Sequence, residues 1–215
     1  MNREKAITLG LLLTLSALAI FAATYLNYDK AFESSDEMRL VGTDPWYHRR
    51  VTEYIVEYKA QLIFDPFMEY PKGGINPWPP LFDWVLAVPA MIMEPFVGID
   101  AAVNYSLAFM PSILGALCVI AIYFLGKELF DRRTGLISSI LLFLMPAFTT
   151  RIGLGRADHD AIILLMTILT LTFFVKSIKS IKRLKLDWDL GKIRENLSTL
   201  MREEKRSMAM ALISG

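Results

Sequence analysis

The charges of this chain are sorted into separate stretches, and that sorting limits its fold more than any motif does. Uncharged blocks run from Ala6 to Tyr28, Ala101 to Gly126, Thr134 to Thr150 and Ala161 to Val175, which is 23, 26, 17 and 15 residues. About 20 apolar residues cross the ~30 Å hydrocarbon core of a bilayer, so blocks of this kind belong in a membrane. The third and fourth are short for a crossing and extend at their ends to complete it. The expected fold class is an all-α polytopic membrane protein with about four transmembrane helices, at about 6–28, 101–126, 134–152 and 158–176. A hydrophobic content of 54% excludes a disordered chain. A net charge of +1 gives no footprint for nucleic acid, so no nucleic-acid partner is expected. The first block follows the basic start Arg3-Glu4-Lys5, and its length favours an uncleaved anchor over a cleaved signal peptide.

Loop charge then orients the spans. The segment 127–133 holds three bases and the segment 176–206 holds ten, whereas the long loop 27–100 holds twelve acids against six bases. By the positive-inside rule the N-terminus and the two basic segments face the cytoplasm, and the outer loop 29–100 and the segment 151–160 face outside. The chain is therefore expected in the cell membrane as a multi-pass protein, with the outer face extracellular or lumenal. The stretch 78–97 is apolar but carries Asp83, Glu94, Pro89 and Pro95. It is read as an amphipathic, interfacial helix of the outer loop, with Trp78 and Trp84 at headgroup level. The remaining boundaries are a cytoplasmic loop at 177–207 and the start of a fifth span at 208–215. The single cysteine, Cys118, falls inside the second span, so no disulfide ties the outer loop.

Both histidines and the most notable acids fall on the outer side, in two clusters. The first is Gly42-Thr43-Asp44-Pro45-Trp46-Tyr47-His48-Arg49-Arg50. An acid followed by proline suits a helix start, so Asp44 is at the least the cap of a helix running through Tyr58. The second is Arg151-Ile152-Gly153-Leu154-Gly155-Arg156-Ala157-Asp158-His159-Asp160. Two carboxylates one residue apart are able to reach one hard cation, and ionisable groups at the edge of a bilayer are costly enough to mark function. His159 between them is read as a flanking residue, although either His159 or Asp160 is able to complete a metal shell. Arg151 and Arg156 pair either with the acids or with an anionic lipid phosphate. Asp44, Asp158 and Asp160 share the outer face, and three converging carboxylates repel unless a divalent cation neutralises them. Hard oxygen ligands point to Mn2+ or Mg2+, acting as a Lewis acid and as a template for substrates.

These residues resemble a known family. Gly-Thr-Asp44-Pro-Trp-Tyr-His-Arg in a long first outer loop, Tyr70-Pro71-Lys72-Gly73-Gly74 and Trp78-Pro79-Pro80 later in it, Leu125-Gly126-Lys127-Glu128-Leu129-Phe130 and the run Arg151 to Asp160 are similar to the N-terminal part of the oligosaccharyltransferase catalytic subunit, in its archaeal single-subunit form. The resemblance covers essentially the whole chain in order. It implies a membrane glycosyltransferase of the C-type fold, here truncated. Such enzymes move an oligosaccharide from a lipid-linked donor to Asn in the Asn-X-Ser/Thr sequon of an acceptor polypeptide, with Mn2+ or Mg2+. It makes Asp44 the catalytic first-loop acid, binding metal and acceptor amide, and makes Asp158 and Asp160 the paired metal ligands. Arg151, and with it Arg156 and His159, falls beside the metal or the lipid phosphate. The family's later acidic motif, most of its spans and its C-terminal sequon-binding domain are absent from this sequence, so an inactive fragment of a larger enzyme is expected. The alternatives are another C-type transferase acting on a lipid-linked sugar, or a non-catalytic transporter or assembly subunit whose acids are caps or a cation path.

Overall fold

A computed structural model of the chain describes residues 3–25, 28–31 and 39–183. In order these are α1 (Arg3–Tyr25), the single turn α2 (Tyr28–Ala31), α3 (Asp44–Tyr58), the strands β1 (Phe64–Asp65) and β2 (Gly74–Ile75), α4 (Pro80–Val97), α5 (Ile99–Leu129), α6 (Arg132–Leu144), α7 (Pro146–Arg151) and α8 (Asp160–Arg183). The basic stretch beyond 183 and the expected fifth span at 208–215 lie outside the described residues.

Four of these helices are long and apolar enough to cross a membrane, over Ala6–Tyr25, Pro80–Val97, Ile99–Leu129 and Asp160–Ser180. The protein is mostly helical and multi-pass. Three of the four coincide with expected spans and differ only at their ends. The continuous helix expected over 134–152 instead forms as α6 and α7, with Met145 extended between them at φ −75° and ψ 117°. The cause is Pro146, which has no N–H to give to a preceding turn and disfavours helical backbone in the residue before it. The 13 residues of α6 rise only about 20 Å. Conversely, the segment expected to lie at the interface is one 18-residue helix, α4, which carries Pro89 and Pro95 inside it. By length and composition it too is able to cross, although it is the shortest and least apolar of the four.

The described residues divide into two compact units, one drawn from 17–116 with 144–162, the other from 3–16, 117–143 and 163–183. In the first, α3 presents Pro45, His48, Val51, Thr52, Ile55 and Val56 as its buried face, the three-and-four spacing of a helix side. It packs on α4, whose buried face is Phe82, Asp83, Leu86, Ala87 and Ala90. α3 stops where Lys59 takes a left-handed conformation (φ 55°) and its N–H returns to the Ile55 carbonyl. Beyond it β1 and β2 pair antiparallel, Phe64 against Ile75 and Asp65 against Gly74.

Residues 152–157 are irregular, yet most are fully buried, so their backbone groups need partners. They have them: Leu154 N–H donates to the Ala23 carbonyl (3.2 Å), Gly155 N–H to Ala108 (3.3 Å), and the Gly155 carbonyl accepts Val41 N–H (2.9 Å). Ser112 Oγ donates to the Ile152 carbonyl at 2.9 Å. Gly155 sits at φ +73°, and a Cβ there would lie 3.1 Å from the Arg39 carbonyl oxygen, so glycine is required.

The second unit relies on close approach of helix backbones. The later half of α5 and α6 approach through Gly126 and Gly135; a Cβ on Gly135 would come within 2.5 Å of the Tyr123 carbonyl oxygen. Small residues at a crossing let helix backbones touch, as is common where lipid supplies no hydrophobic drive. Ser139 Oγ donates to the Val119 carbonyl at 2.8 Å. Asp131 caps α6, accepting Thr134 N–H at 2.7 Å and its hydroxyl at 2.9 Å. These two bonds hold its carboxyl below the usual range. Ion pairs join Arg132 to Glu4 (3.0 Å) and Lys176 to Glu128 (3.8 Å).

Candidate metal centre

The Asp158-His159-Asp160 corner ends the buried irregular segment, and Asp160 lies in the first turn of α8, where the helix dipole favours an acid. Arg151, the last residue of α7, reaches across this corner. Its Nη1 is 2.7 Å from Asp160 Oδ2 and 3.7 Å from Asp158 Oδ2, so two carboxylates face one cationic atom. The other Asp158 oxygen, Oδ1, accepts the His159 backbone N–H at 2.7 Å. It also lies 2.8 Å from His159 Nδ1, at an angle that makes no hydrogen bond. Asp158 thus has two faces, one towards Arg151 and Asp160, the other towards the imidazole.

The third residue on that imidazole side is His48. One nitrogen each of His48 and His159 and an oxygen of Asp158 all lie within 4.8 Å of one another, the one such group of histidine and acidic side chains among the described residues. The rings stand 6.0 Å apart, and the half-buried Trp78 indole covers His159 at 4.6 Å. His48 is held from behind by Asp83, whose Oδ1 is 2.7 Å from its Nδ1, with both side chains at or near zero exposure.

Asp44, one turn before His48 on α3, is not a member of this group. The helix starts one residue earlier than expected of it: Thr43 occupies the cap, Asp44 is half-buried in the first turn, and no side-chain cap bond forms. Its Oδ1 accepts the Thr43 hydroxyl at 3.2 Å. Arg156 is half-buried and shapes the loop through its backbone, giving its N–H to Gly153 and its carbonyl to Asp158 N–H (3.1 and 2.9 Å). Of the candidates, then, Asp158, Asp160 and Arg151 meet on one side and Asp158 and His159 on the other, while Asp44 joins neither set.

Next to His48 on α3, the Arg50 guanidinium grips Asp65 with two bonds of 2.7 and 3.0 Å. That grip holds the Asp65 carboxyl below the usual carboxylate range and raises the Arg50 guanidinium further. Burial, reinforced by the nearby negative charge of Asp65, pushes the Tyr47 hydroxyl up.

Residues 12–215 match the family model described as oligosaccharyl transferase STT3, N-terminal. The chain belongs to the STT3 family. It is 31% identical to dolichyl-phosphooligosaccharide-protein glycotransferase 2 of Archaeoglobus fulgidus over 80% of its own length and 28% of that protein's. It is also similar to the archaeal oligosaccharyltransferase AglB of A. fulgidus solved with an inhibitory peptide and a dolichol-phosphate. There the TM-score is 0.79 at 25% identity, over all of this chain and 23% of that one. An A. fulgidus oligosaccharyltransferase tethered to an acceptor peptide containing the NVT sequon matches at TM-score 0.75 and 25% identity, over 98% of this chain and 23% of that one. This STT3-family chain thus spans about a quarter of the length of the relatives it matches.

Two residues of the STT3 chain's centre escaped the sequence reading. His48 stood in the first cluster without a role, and Asp83 counted only as a charge that argued against a span. A carboxylate inside an apolar helix was the usable signal, because it demands a partner. The partner lies 35 positions away, beyond the reach of spacing.

Proposed function

We propose that this chain is the N-terminal part of a membrane oligosaccharyltransferase that moves a lipid-linked oligosaccharide to Asn in an Asn-X-Ser/Thr sequon. The observation that carries this function is the approach of Asp158 and Asp160 to one cationic atom, Arg151 Nη1, in a chain of the STT3 family. Carboxylates that converge on a guanidinium nitrogen also suit a hard dication, so Mn2+ or Mg2+ fits the pair, with Asp44 as a third oxygen ligand. Such an ion supplies Lewis-acid stabilisation of the negative charge that grows on the departing phosphate. Arg151 and Arg156 hold that phosphate through charge-assisted hydrogen bonds. Asp44 accepts an N–H of the acceptor amide and holds its nitrogen against the anomeric carbon. A C–N bond forms there as the anomeric C–O bond breaks, its electron pair leaves on the phosphate oxygen, and the amide proton passes to solvent. The dolichol-phosphate and sequon peptide bound by the archaeal enzymes support these classes of donor and acceptor. The N-terminus faces the cytoplasm and the carboxylate pair the opposite side, in keeping with the basic 127–133 turn.

The test is peptide glycosylation by membranes carrying the gene product in its own reading frame, with Asp158→Asn and Asp160→Asn beside the wild type. Outer-shell partners alone cost 10–100-fold, so each variant is expected to lose about 100-fold or more of the metal-dependent transfer. Transfer within twofold of wild type, with normal membrane insertion, overturns the assignment.

A further inference from the structure

None of the steps above uses the most deeply buried aromatic ring among the described residues. His48 is 1% exposed and Asp83 not at all, and they touch at 2.7 Å. A carboxylate accepts and cannot donate, so His48 Nδ1 carries the hydrogen and Nε2 is the nitrogen left with a lone pair. The second Asp83 oxygen takes a bond from Gln61 Nε2 at 3.4 Å. The Phe82 ring meets the imidazole edge-on at 4.8 Å and Trp78 stands 6.0 Å away, so the ring is clamped on several sides. With all this support, Nε2 is buried and has no hydrogen-bond partner. A histidine kept for packing alone would have that nitrogen met by a donor, because a buried polar atom without a partner costs free energy. One nitrogen of this ring lies within 4.8 Å of a nitrogen of His159 and an oxygen of Asp158, and Nδ1 is already taken up by Asp83.

We propose that His48, His159 and Asp158 form a transition-metal site, distinct in donor chemistry from the Asp158–Asp160 pair, and that Asp83 positions His48 for it. The proposal rests on Asp158 being a metal ligand in the function above, and adds a second ligation mode to that carboxylate. Two imidazoles and one carboxylate select ions such as Zn2+ or Co2+, whereas Mg2+ prefers oxygen alone. The buried carboxylate behind the ring is the usual companion of a metal-bound histidine, fixing its tautomer and raising its basicity. Tetrahedral bonds of about 2.0–2.1 Å set ligand atoms roughly 3.3 Å from one another, and these atoms already lie within 4.8 Å of one another, so only a small adjustment is needed on binding. His48 is fixed, and the movement falls to Asp158 and His159, which are 14% and 26% exposed. The two faces of Asp158 let Oδ1 serve this site while Oδ2 remains turned to Asp160.

The experiment is Co2+ titration of the full chain in lipid nanodiscs, read by visible d–d absorption and by competition with Zn2+. Wild type is expected to bind one Co2+ with the intense absorption of a four-coordinate site, and a large excess of Mg2+ is expected not to displace it. His48→Gln and His159→Gln each lose about 100-fold or more in affinity, and Asp83→Asn loses about 10–100-fold through the ring it orients. Asp160→Asn abolishes glycosyl transfer yet leaves the Co2+ affinity within threefold, which separates this site from the function it rests on. In case His48→Gln fails to fold, electron spin-echo modulation of wild-type chain loaded with one equivalent of Cu2+ counts the imidazoles directly. Two coordinated imidazoles support the site, and one or none overturns it. Co2+ affinity unchanged in His159→Gln, or lost in Asp160→Asn, also overturns it.

Discussion

In the unit built on α3 and α4, a histidine and a carboxylate are shut away from solvent side by side, and a second acid, Asp65, is buried under the guanidinium of Arg50. In the unit built on the later half of α5 and α6, the buried side-chain polar groups among the described residues are hydroxyls, of which Thr8, Ser139 and Thr172 bond to helix carbonyls. Both units bury polar groups, but the stakes differ. A hydroxyl that loses its carbonyl leaves a small dipole, whereas a carboxylate that loses its imidazole leaves a charge in a low-dielectric interior. The first unit therefore stores its specificity in a few charged contacts of long sequence separation. The second stores it in close fit between backbones.

The sharpest way to break this contrast is His48→Phe, which keeps the ring volume and strands Asp83. Removing one partner of a buried pair costs about 3–5 kcal/mol, so unfolding in detergent, followed by tryptophan fluorescence, is expected to shift to much lower temperature. A loss under about 1 kcal/mol would show that Asp83 finds water or another donor. In the other unit the corresponding probe is Gly135→Ala. Its new methyl group meets a backbone oxygen, which cannot rotate away, and over-packing of this kind costs about 1–3 kcal/mol. The same thermal assay measures it, and a neutral result would mean that α5 and α6 separate without penalty.

The smallest effect is expected of Asp65→Asn, because Arg50 is 44% exposed and water screens the pair; about 1 kcal/mol at neutral pH is a fair scale. Its signature is pH dependence. The Asp65 carboxyl is held below its ordinary value by the Arg50 bonds, so its stabilisation is fully present above about pH 3.9. It is lost as the pH falls through the depressed native value. The melting temperature of wild type should be level from pH 7 to 5 and fall below about 4, and the variant should lose part of that fall. Equal slopes in the two proteins would remove Asp65 from the acid response.

Much of the helical layout was legible because a bilayer writes itself into sequence as uncharged length: α1, α5 and α8 follow three of the four blocks closely. The third block failed as one helix at a residue in plain view, Pro146, whose effect is local and was outweighed by the apolar run around it. That Asp158 and Asp160 would lie together was legible from their spacing, and the structure brings both to Arg151. The meeting of His48 and Asp83 was not, because each looked ordinary alone and only tertiary packing of α3 on α4 joins them.

The buried irregular segment at 152–157 bears on how the acids beside it bind. Four hydrogen bonds from α1, α5 and the residues before α3 already fix its backbone, and one glycine sits where no other residue fits. The chain surrenders the freedom of this loop when it folds, so on the proposed function an incoming ion or phosphate would meet carboxylates carried on an already ordered backbone, with only side chains left to adjust. Association there would then be governed by the exchange of water and of the Arg151 guanidinium, and its entropy set by solvent rather than by the backbone.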